Sequence, residues 1–469
     1  MRKAPGGSAS EKLRARLCEA EQGHVFRFFD ELTAEEQATL LAQLKSIDLK
    51  LLRKLIETHV ADAEATQAPS VAPAPVVPLA STPSQRRDET ESRKAGEEAL
   101  KAGRVAALVV AGGQATRLGY DAPKGTFPIG PVSGKSLFQI HCEKLVALAR
   151  RHGKSIPLLV LVSPDNHAQT QRFFEEHDFF GLAKEDVWLF EQGMLPALDR
   201  DGRLLLAERG RIFLSPDGHG GVYRALQGAG LLDKLVARKI DLVFYFQVDN
   251  PLVKVADPVF LGHHVKRGAE FSLKVVAKRD AAEKVGVFAI VDGKPGIVEY
   301  SDLPESLREA KDASGRLTYS AGSIAIHCFN VPFLQRIATG AGMPWHVARK
   351  KVPYVDERGV VVQPTEPNGM KIESFVFDAL PLAKNVVAME VARAEEFAPV
   401  KNKSGEDSPA TSREAQSKLF RSWLEQAGFI GVDPAAAVEI GPLFALDREE
   451  FEQRLRAKGG GGARRVLFD

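Results

Sequence analysis

VAALVVAGGQATRLGYDAPKGTFPIGPVSGKSLFQIHCE, running from Val105 to Glu143, is the stretch whose reading decides the fold. Its opening run, Val105 to Val110, is apolar and rich in β-branched residues, the composition of a strand buried in a parallel sheet. Ala111-Gly112-Gly113 follows where that strand should end, and chain reversal at the carboxyl end of such a strand is where α/β sheets place ligands. Glycines there let backbone N–H groups approach an anion or a flat base, while Arg117 and Lys124 add fixed positive charge seven residues apart. Together they read as a polyphosphate cradle.

Two familiar nucleotide motifs do not fit. A dinucleotide fold requires GxGxxG, which Gly112 to Arg117 does not supply. Gly134-Lys135-Ser136 resembles the end of a P-loop, but Ile129 stands where that motif needs glycine and Gly130 is one residue out of phase. A plain tight bend, with Arg117 and Lys124 solvated, stays open on pattern alone.

Outward from this stretch, the spacing predicts a helix from Lys135, with Leu137, Ile140, Leu145 and Leu148 on one side and Gly153 ending it. Leu158 to Val162 is the next buried strand. Strand, loop, helix and strand make a βαβ unit, so the fold class is α/β with a mainly parallel central sheet. Upstream, Thr33 and Glu36 form a capping box, and Leu40, Leu41, Leu44 and Ile47 mark the apolar face of a helix. Residues 62–90 are dominated by Ala, Pro and Ser and read as solvated linker.

Composition narrows the function. A chain of 469 residues with net charge +2 has no whole-chain field for nucleic acid or an anionic membrane. Cys18, Cys142 and Cys328 are far apart, which argues against a disulfide framework or a zinc site and suggests three buried apolar side chains. No stretch approaches a membrane span, and a cytoplasmic setting is the expectation.

Further candidates lie at strand ends. Gln192 follows a short apolar strand, and its amide offers both donor and acceptor to a base edge, though an ordinary loop glutamine reads the same way. Ser215 to Gly221 is a second glycine-rich turn before a helix. Asp249 ends the apolar run Asp241 to Val248, and a carboxylate there is costly unless paired or bound to a cation. Residues 285–300 carry a hairpin signal around Asp292-Gly293, with Glu299 near its end.

The strings VAGGQATRLG and PKG resemble the signature of nucleotidyltransferases that make UDP-sugars from UTP and a sugar 1-phosphate. QGMLPA from Gln192, VDNPLVKVADP around Asp249, AGSIAIHCF from Ala321, PNGMKIESFVFD from Pro367 and APVKN from Ala398 follow in order. The wider chain resembles the eukaryotic-type UDP-N-acetylglucosamine pyrophosphorylases. That resemblance implies a Rossmann-like (GT-A-like) catalytic domain over 96–400, a helical region over 1–60, a linker over 61–95, and a small α+β domain with a frayed tail over 401–469. It implies UTP and a hexose 1-phosphate as substrates and Mg²⁺ as cofactor. By the same resemblance Arg117, Lys124 and Lys401 are catalytic, and Val110, Ala111, Gly112, Gly113, Gln192, Gly218 and Asp249 bind the nucleotide. Asp249 also holds the metal, and His219, Glu299, Tyr300, Ser323, Lys371 and Phe375 contact the sugar.

This sequence departs from the family at several places. Ala115 replaces a glycine, so the loop should bend less freely. By the resemblance, His219, Ser323 and Ile326 stand where N-acetylglucosamine enzymes carry asparagine, which brings glucose or galactose 1-phosphate, or a broad UDP-sugar pyrophosphorylase, into view beside the favoured N-acetylglucosamine 1-phosphate. A non-catalytic protein that only binds a nucleotide-sugar is the other class consistent with these residues.

Overall fold

The Val105–Val110 strand lies inside a mixed sheet in the computed structural model, which describes residues 9–59, 69–339, 343–429, 433–457 and 467–468. Leu242–Gln247 flanks it on one side and Leu158–Val162 on the other, with Val187–Glu191 beyond, all parallel. This is the mainly parallel α/β core read from the sequence. Strand order reverses between 105–110 and 242–247, so both carboxyl ends open into one crevice. Antiparallel strands extend the sheet: Ala321–Asn330 pairs with Leu242–Gln247 and with Phe271–Ala277. The expected hairpin is present, Val287–Val291 against Lys294–Val298, turning at Asp292 (φ 48°) and Gly293 (φ 78°).

The connecting helix Leu137–His152 starts where Ser136 caps the Gln139 N–H at 3.1 Å and stops at Gly153, whose φ of 72° only glycine adopts readily. Its apolar stripe and one face of the core strands, Val105, Ala107 and Val109 with Leu158, Val160 and Phe244, form one buried cluster. Each such Val, Leu or Phe contributes about 1.5–3 kcal/mol by leaving water.

The described residues fall into two units that do not follow the sequential boundaries expected above. One comprises 9–59, 193–221 and 343–376; the other comprises 69–192, 222–339 and 377–457. In the first unit the capping box at Thr33 forms both reciprocal bonds and starts the helix Ala34–Ser46. Leu40 and Leu44 of that helix are buried against Leu206, Ile212 and Met370. The amphipathic N-terminal helices thus find their apolar partners in two segments far along the chain, which no local pattern announces.

The linker reading is corrected in the second unit. Residues 61–68 lie outside the described residues, but Val71–Pro73 pairs with 287–291, and Val77 bridges to Met389. Edge pairing asks only for backbone N–H and C=O groups, so a segment too small to build a core can still join a sheet edge. The following helix begins at Pro83, capped by Thr82, inside the stretch read as linker. Residues 403–412 form a turn and the start of the helix Pro409–Gln426, capped by Ser408. The C-terminal part has its own apolar cluster around Trp423, Leu424 and Phe451, and Glu439 accepts from the Val132 and Ser133 N–H groups at 2.8 Å. The tail from Gly459 to Arg465 lies outside the described residues. Cys142 and Cys328 are buried as expected; Cys18 is exposed. Among the described residues no helix is long and apolar enough to cross a membrane.

One buried charge cluster ties the second unit together. Lys274, 0% exposed, donates to Asp257 at 2.7 Å and to Glu396 at 2.5 Å. Burial alone would raise the Asp257 pKa, but Lys274 and Lys254 outweigh it and hold the carboxyl below its ordinary value. That contribution to stability is complete above the unfolded carboxylate range near about 3.9 and is lost as pH falls through the lower folded value. Lys274→Met leaves two carboxylates facing each other without their cation. It should lower the unfolding free energy by about 3–5 kcal/mol, read from the shift in denaturant midpoint at neutral pH.

Candidate active site

The loop after Val110 is fastened by backbone and side-chain bonds rather than by packing alone. Asn166, fully buried, accepts from Ser163 N at 2.9 Å and donates from Nδ2 to the Ala111 carbonyl at 3.0 Å. Ala115 N–H donates to the Ala122 carbonyl and Lys124 N–H to the Gly113 carbonyl, both at 3.1 Å, closing residues 113–124 into a compact bend. The concern over Ala115 is corrected here: its φ is −92°, a conformation any residue adopts, and the left-handed residue of the loop is Gly119 at φ 74°. A methyl group at position 115 therefore costs the backbone nothing.

Gly112 and Gln192 meet at the crevice. A Cβ built on Gly112 would lie 2.6 Å from Gln192 Oε1, so the bare glycine makes room for the amide, and Gln192 N–H is itself held by the Val162 carbonyl at 2.8 Å. Gly113 has open space around it, and Arg117 stands exposed on the Thr116–Leu118 turn. Lys124 turns inward instead. Its Nζ donates to Asp249 Oδ2 at 3.1 Å, the two side chains being 19% and 10% exposed. Val110, Ala111, Gly112, Gly113, Lys124, Gln192 and Asp249 thus share one sheet edge.

Asp249 also borders a cleft of about 200 Å³ lined by Asn250, Lys284, Ser323 and Lys401. Asn250 fixes the turn: its Nδ2 donates to the Glu396 carbonyl at 2.6 Å, and its Oδ1 accepts from Ala398 N at 3.1 Å. Val400 N–H donates to the Asp249 carbonyl at 2.9 Å, so the strand-end turn and the segment leading to Lys401 are tied backbone to backbone. Lys401 is half-exposed, with its Nζ 3.5 Å from Asp407.

Ser323 N–H donates to the Gly286 carbonyl at 2.9 Å, and a Cβ on Gly286 would lie 3.5 Å from Glu299 Oε1. Glu299 and Ser323 therefore flank one glycine, while Tyr300 beyond them is 38% exposed. The pairing of 321–330 with 271–277 slips between Leu273 and Val275, and within this bulge Ala325 holds φ 55°. Ser323 and Ile326 both border the cleft, Ile326 as a buried apolar side chain and Ser323 as a partly exposed hydroxyl.

The remaining expected residues belong to the first unit. Gly218 needs its φ of 82°, and a Cβ there would lie 2.3 Å from the Ser374 carbonyl. His219 Nδ1 accepts from Val376 N–H at 3.0 Å, which places the proton on Nε2 when the ring is neutral, and its ring lies 5.4 Å from that of Phe375. Lys371, on the strand Gly369–Glu373, holds its Nζ 4.9 Å from the centre of the Phe213 ring.

Lys135, the lysine a P-loop would need, donates to Glu143 at 3.0 Å with both side chains under a tenth exposed. It is an internal ion pair of the helix start. Asn166, Lys284, Asn250 and Lys144 escaped the sequence reading. Only Lys144 left a trace there, a lysine four residues from both Ile140 and Leu148 on the apolar stripe.

The donor set was tested for Mg²⁺. Among the described residues no group of three or more His, Cys, Asp or Glu side chains converges on one point. One buried carboxylate, Asp249, faces a cleft whose other polar groups are Lys284, Lys401, Ser323 and the amides of Gln247 and Asn250, among apolar side chains such as Phe246 and Phe397. That fits a hard cation carried largely by substrate phosphates and water, the usual manner of Mg²⁺ binding, and does not fit an all-protein cage.

The edge as a whole presents the Gln192 amide against Gly112, cationic side chains at 117, 124 and 401, and the Asp249 carboxylate. Comparison with known proteins agrees. The profile of the UTP–glucose-1-phosphate uridylyltransferase family matches residues 52–455. UDP-N-acetylglucosamine pyrophosphorylase of Saccharomyces cerevisiae is 40% identical over 455 residues, 93% of this chain and 95% of that protein. UDP-N-acetylhexosamine pyrophosphorylase-like protein 1 of Xenopus tropicalis is 40% identical, covering 98% of this chain and 96% of that one. The crystal structure of the Trypanosoma brucei uridine diphosphate N-acetylglucosamine pyrophosphorylase superposes with a TM-score of 0.83 at 30% identity, over 99% of this chain and 98% of the other. The chain belongs to the UTP–glucose-1-phosphate uridylyltransferase family, the nucleotidyltransferases that form UDP-sugars.

Proposed function

We infer that the protein catalyses UTP + N-acetylglucosamine 1-phosphate → UDP-N-acetylglucosamine + pyrophosphate. The observation that carries this reading is the Lys124–Asp249 pair beside Gly112 and Gln192, supported by relatives named for N-acetylglucosamine at up to 40% identity over nearly their whole length. A sugar-phosphate oxygen attacks the α-phosphorus of UTP in line; one P–O bond forms, the bond to the bridging oxygen breaks, and pyrophosphate leaves. Such a transfer needs alignment and charge neutralisation rather than a protein nucleophile. Gln192 reads the uracil edge through the gap left by Gly112. Arg117 and Lys124 hold the β- and γ-phosphates, and Lys401 neutralises the sugar phosphate. When bound, Mg²⁺ spreads the charge developing on the phosphate oxygens, and Asp249 is the protein carboxylate that would hold it. Gly218, His219, Lys371 and Phe375 carry the expectation of base and sugar contact from the first unit. The thiols, none of them in a disulfide, fit a cytoplasmic setting.

Ser323 at the cleft and His219 favour a second reading, glucose 1-phosphate as the sugar substrate. One assay distinguishes the readings: UTP and Mg²⁺ with a panel of hexose 1-phosphates, following pyrophosphate. The highest kcat/KM is expected for N-acetylglucosamine 1-phosphate; a higher value for glucose 1-phosphate selects the second reading, and binding without pyrophosphate release defeats both.

Two variants test the residue roles. Lys124→Ala removes one preorganised cation and should lower kcat by about 10²–10³-fold; unaltered turnover would refute the assignment. Gly112→Ala pushes a methyl group against the movable end of Gln192. It should raise KM for UTP by roughly tenfold while leaving the melting temperature unchanged, and a variant with the parent's KM would show that Gln192 does not read the base.

A further inference from the structure

Asp249 opens a turn that has space on both sides. Asp249, Asn250 and Val253 line the cleft already described. Behind the same turn lies a second cavity of about 650 Å³, bordered by Pro251, Val253, Val255 and Lys144. Val253, Val255 and Ala256 pack into the core, but the carbonyls of a turn between two voids still need hydrogen-bond donors, and those donors fix its backbone path.

The helix Leu137–His152 supplies those contacts in two successive turns. His141 Nε2 meets the Val248 carbonyl at 3.0 Å. Burial pushes the His141 pKa down to about 3, with Lys144 adding to the effect, so the ring is neutral and Nε2 is the donor. About one turn further along, Lys144 Nζ donates to the Pro251 carbonyl at 2.5 Å and to the Val253 carbonyl at 2.8 Å. The chain is therefore gripped on both sides of Asp249 by one helix. Burial also draws the Lys144 pKa down to about 7 against the pull of Glu396, and ammonium and neutral amine alike retain the two N–H donors that two carbonyls require.

We propose that Lys144 is a positioning residue for the Asp249 carboxylate, holding the turn so that this group stays aligned with Lys124 and with the substrate phosphates. The inference rests on the reading of Asp249 as the metal-placing carboxylate. A lysine amid Leu137, Ile140 and Leu148 loses solvation without gaining packing that methionine could not give. What methionine cannot do is donate to two carbonyls.

The test compares Lys144→Met, which retains the stem, with Lys144→Arg, which retains the donors, in the full-length protein. Three quantities are read: kcat and KM for UTP, amide hydrogen exchange across 248–257 without metal or substrate, and a double-mutant cycle with Asp249→Asn. Lys144→Met should lower kcat by about 10–100-fold with KM for UTP changed less than about threefold. Exchange in 248–257 should accelerate about tenfold or more while the core strands exchange as in the parent. Lys144→Arg should restore most of both. In the Asp249→Asn background the same Lys144→Met change should cost less than about threefold in kcat, because the two residues act as one.

Parent-like kcat and exchange in Lys144→Met overturn the proposal, and so does a loss of equal size in the Asp249→Asn background. Should the Met variant fail to fold, Lys144→Leu, which likewise has no donor, takes its place with the same outcomes. An Asp249→Asn protein as active as the parent would defeat the metal-placing reading and, with it, the catalytic half of the proposal. Accelerated exchange in Lys144→Met would then still support the brace on the turn.

Discussion

A carboxylate 7% exposed at the end of an apolar strand is the constraint around which the crevice is arranged. Asp249 is tolerated there because Lys124 Nζ lies 3.1 Å away, and Lys124 can lie there because the 113–124 bend brings its backbone onto Gly113. Removing one member of such a pair costs about 3–5 kcal/mol, since the other is left as an unneutralised buried charge. A triphosphate that draws Lys124 toward itself therefore leaves Asp249 in need of positive charge. A divalent cation arriving with the phosphates meets that need. The resting ion pair and the proposed metal role are two consequences of one buried charge.

The same charge explains why so much hydrogen bonding surrounds the turn after it. Asn250 reaches the Glu396 and Ala398 backbone, Val400 bonds back to Asp249, and Lys274 holds Glu396 from beneath. Lys401 follows directly. Asp249 and Lys401 are thus fixed relative to each other through backbone bonds, and errors on the order of 1 Å in placing groups around a reacting centre cost about 10²-fold in rate. The polar clamp is what keeps the position of Asp249 from varying with whatever fills the neighbouring voids.

Much of this was legible because buried parallel strands announce themselves as continuous apolar runs. Val105–Val110, Leu158–Val162 and Leu242–Gln247 all appear where the runs stand, and Gly112, Lys124 and Asp249 stand out by the rule that ligands bind beyond their carboxyl ends, whereas Gln192 stands out only through the resemblance. The division into units was hidden, because Leu40 and Leu44 pack on Leu206 and Met370, contacts with no local periodicity. The linker misled because composition measures capacity for a core, whereas Val71–Pro73 needs only edge backbone pairing. Asn166 and Asn250 look in sequence like ordinary turn residues. Their function lies in carbonyls contributed by other loops.

The sugar is the least legible part, and magnitudes say why. The resemblance sets an asparagine where Ser323 stands, and on the proposed reading one amide contact to the sugar is exchanged for a hydroxyl contact. One such bond is worth about 0.5–1.5 kcal/mol, or roughly 2–12-fold in discrimination. Ser323 shares the glycine edge with Glu299, and the bulge that presents it keeps Ala325 at φ 55°, which costs an L-residue about 1–2 kcal/mol. The backbone that shapes the cleft is therefore retained at an expense comparable to the altered contact. A single hydroxyl can still donate to an acetyl carbonyl, so the exchange weakens one recognition contact without building anything against the N-acetyl group. Strong rejection of a substituent requires a clash or an unpaired buried group, and the serine, smaller than the residue it replaces, supplies neither.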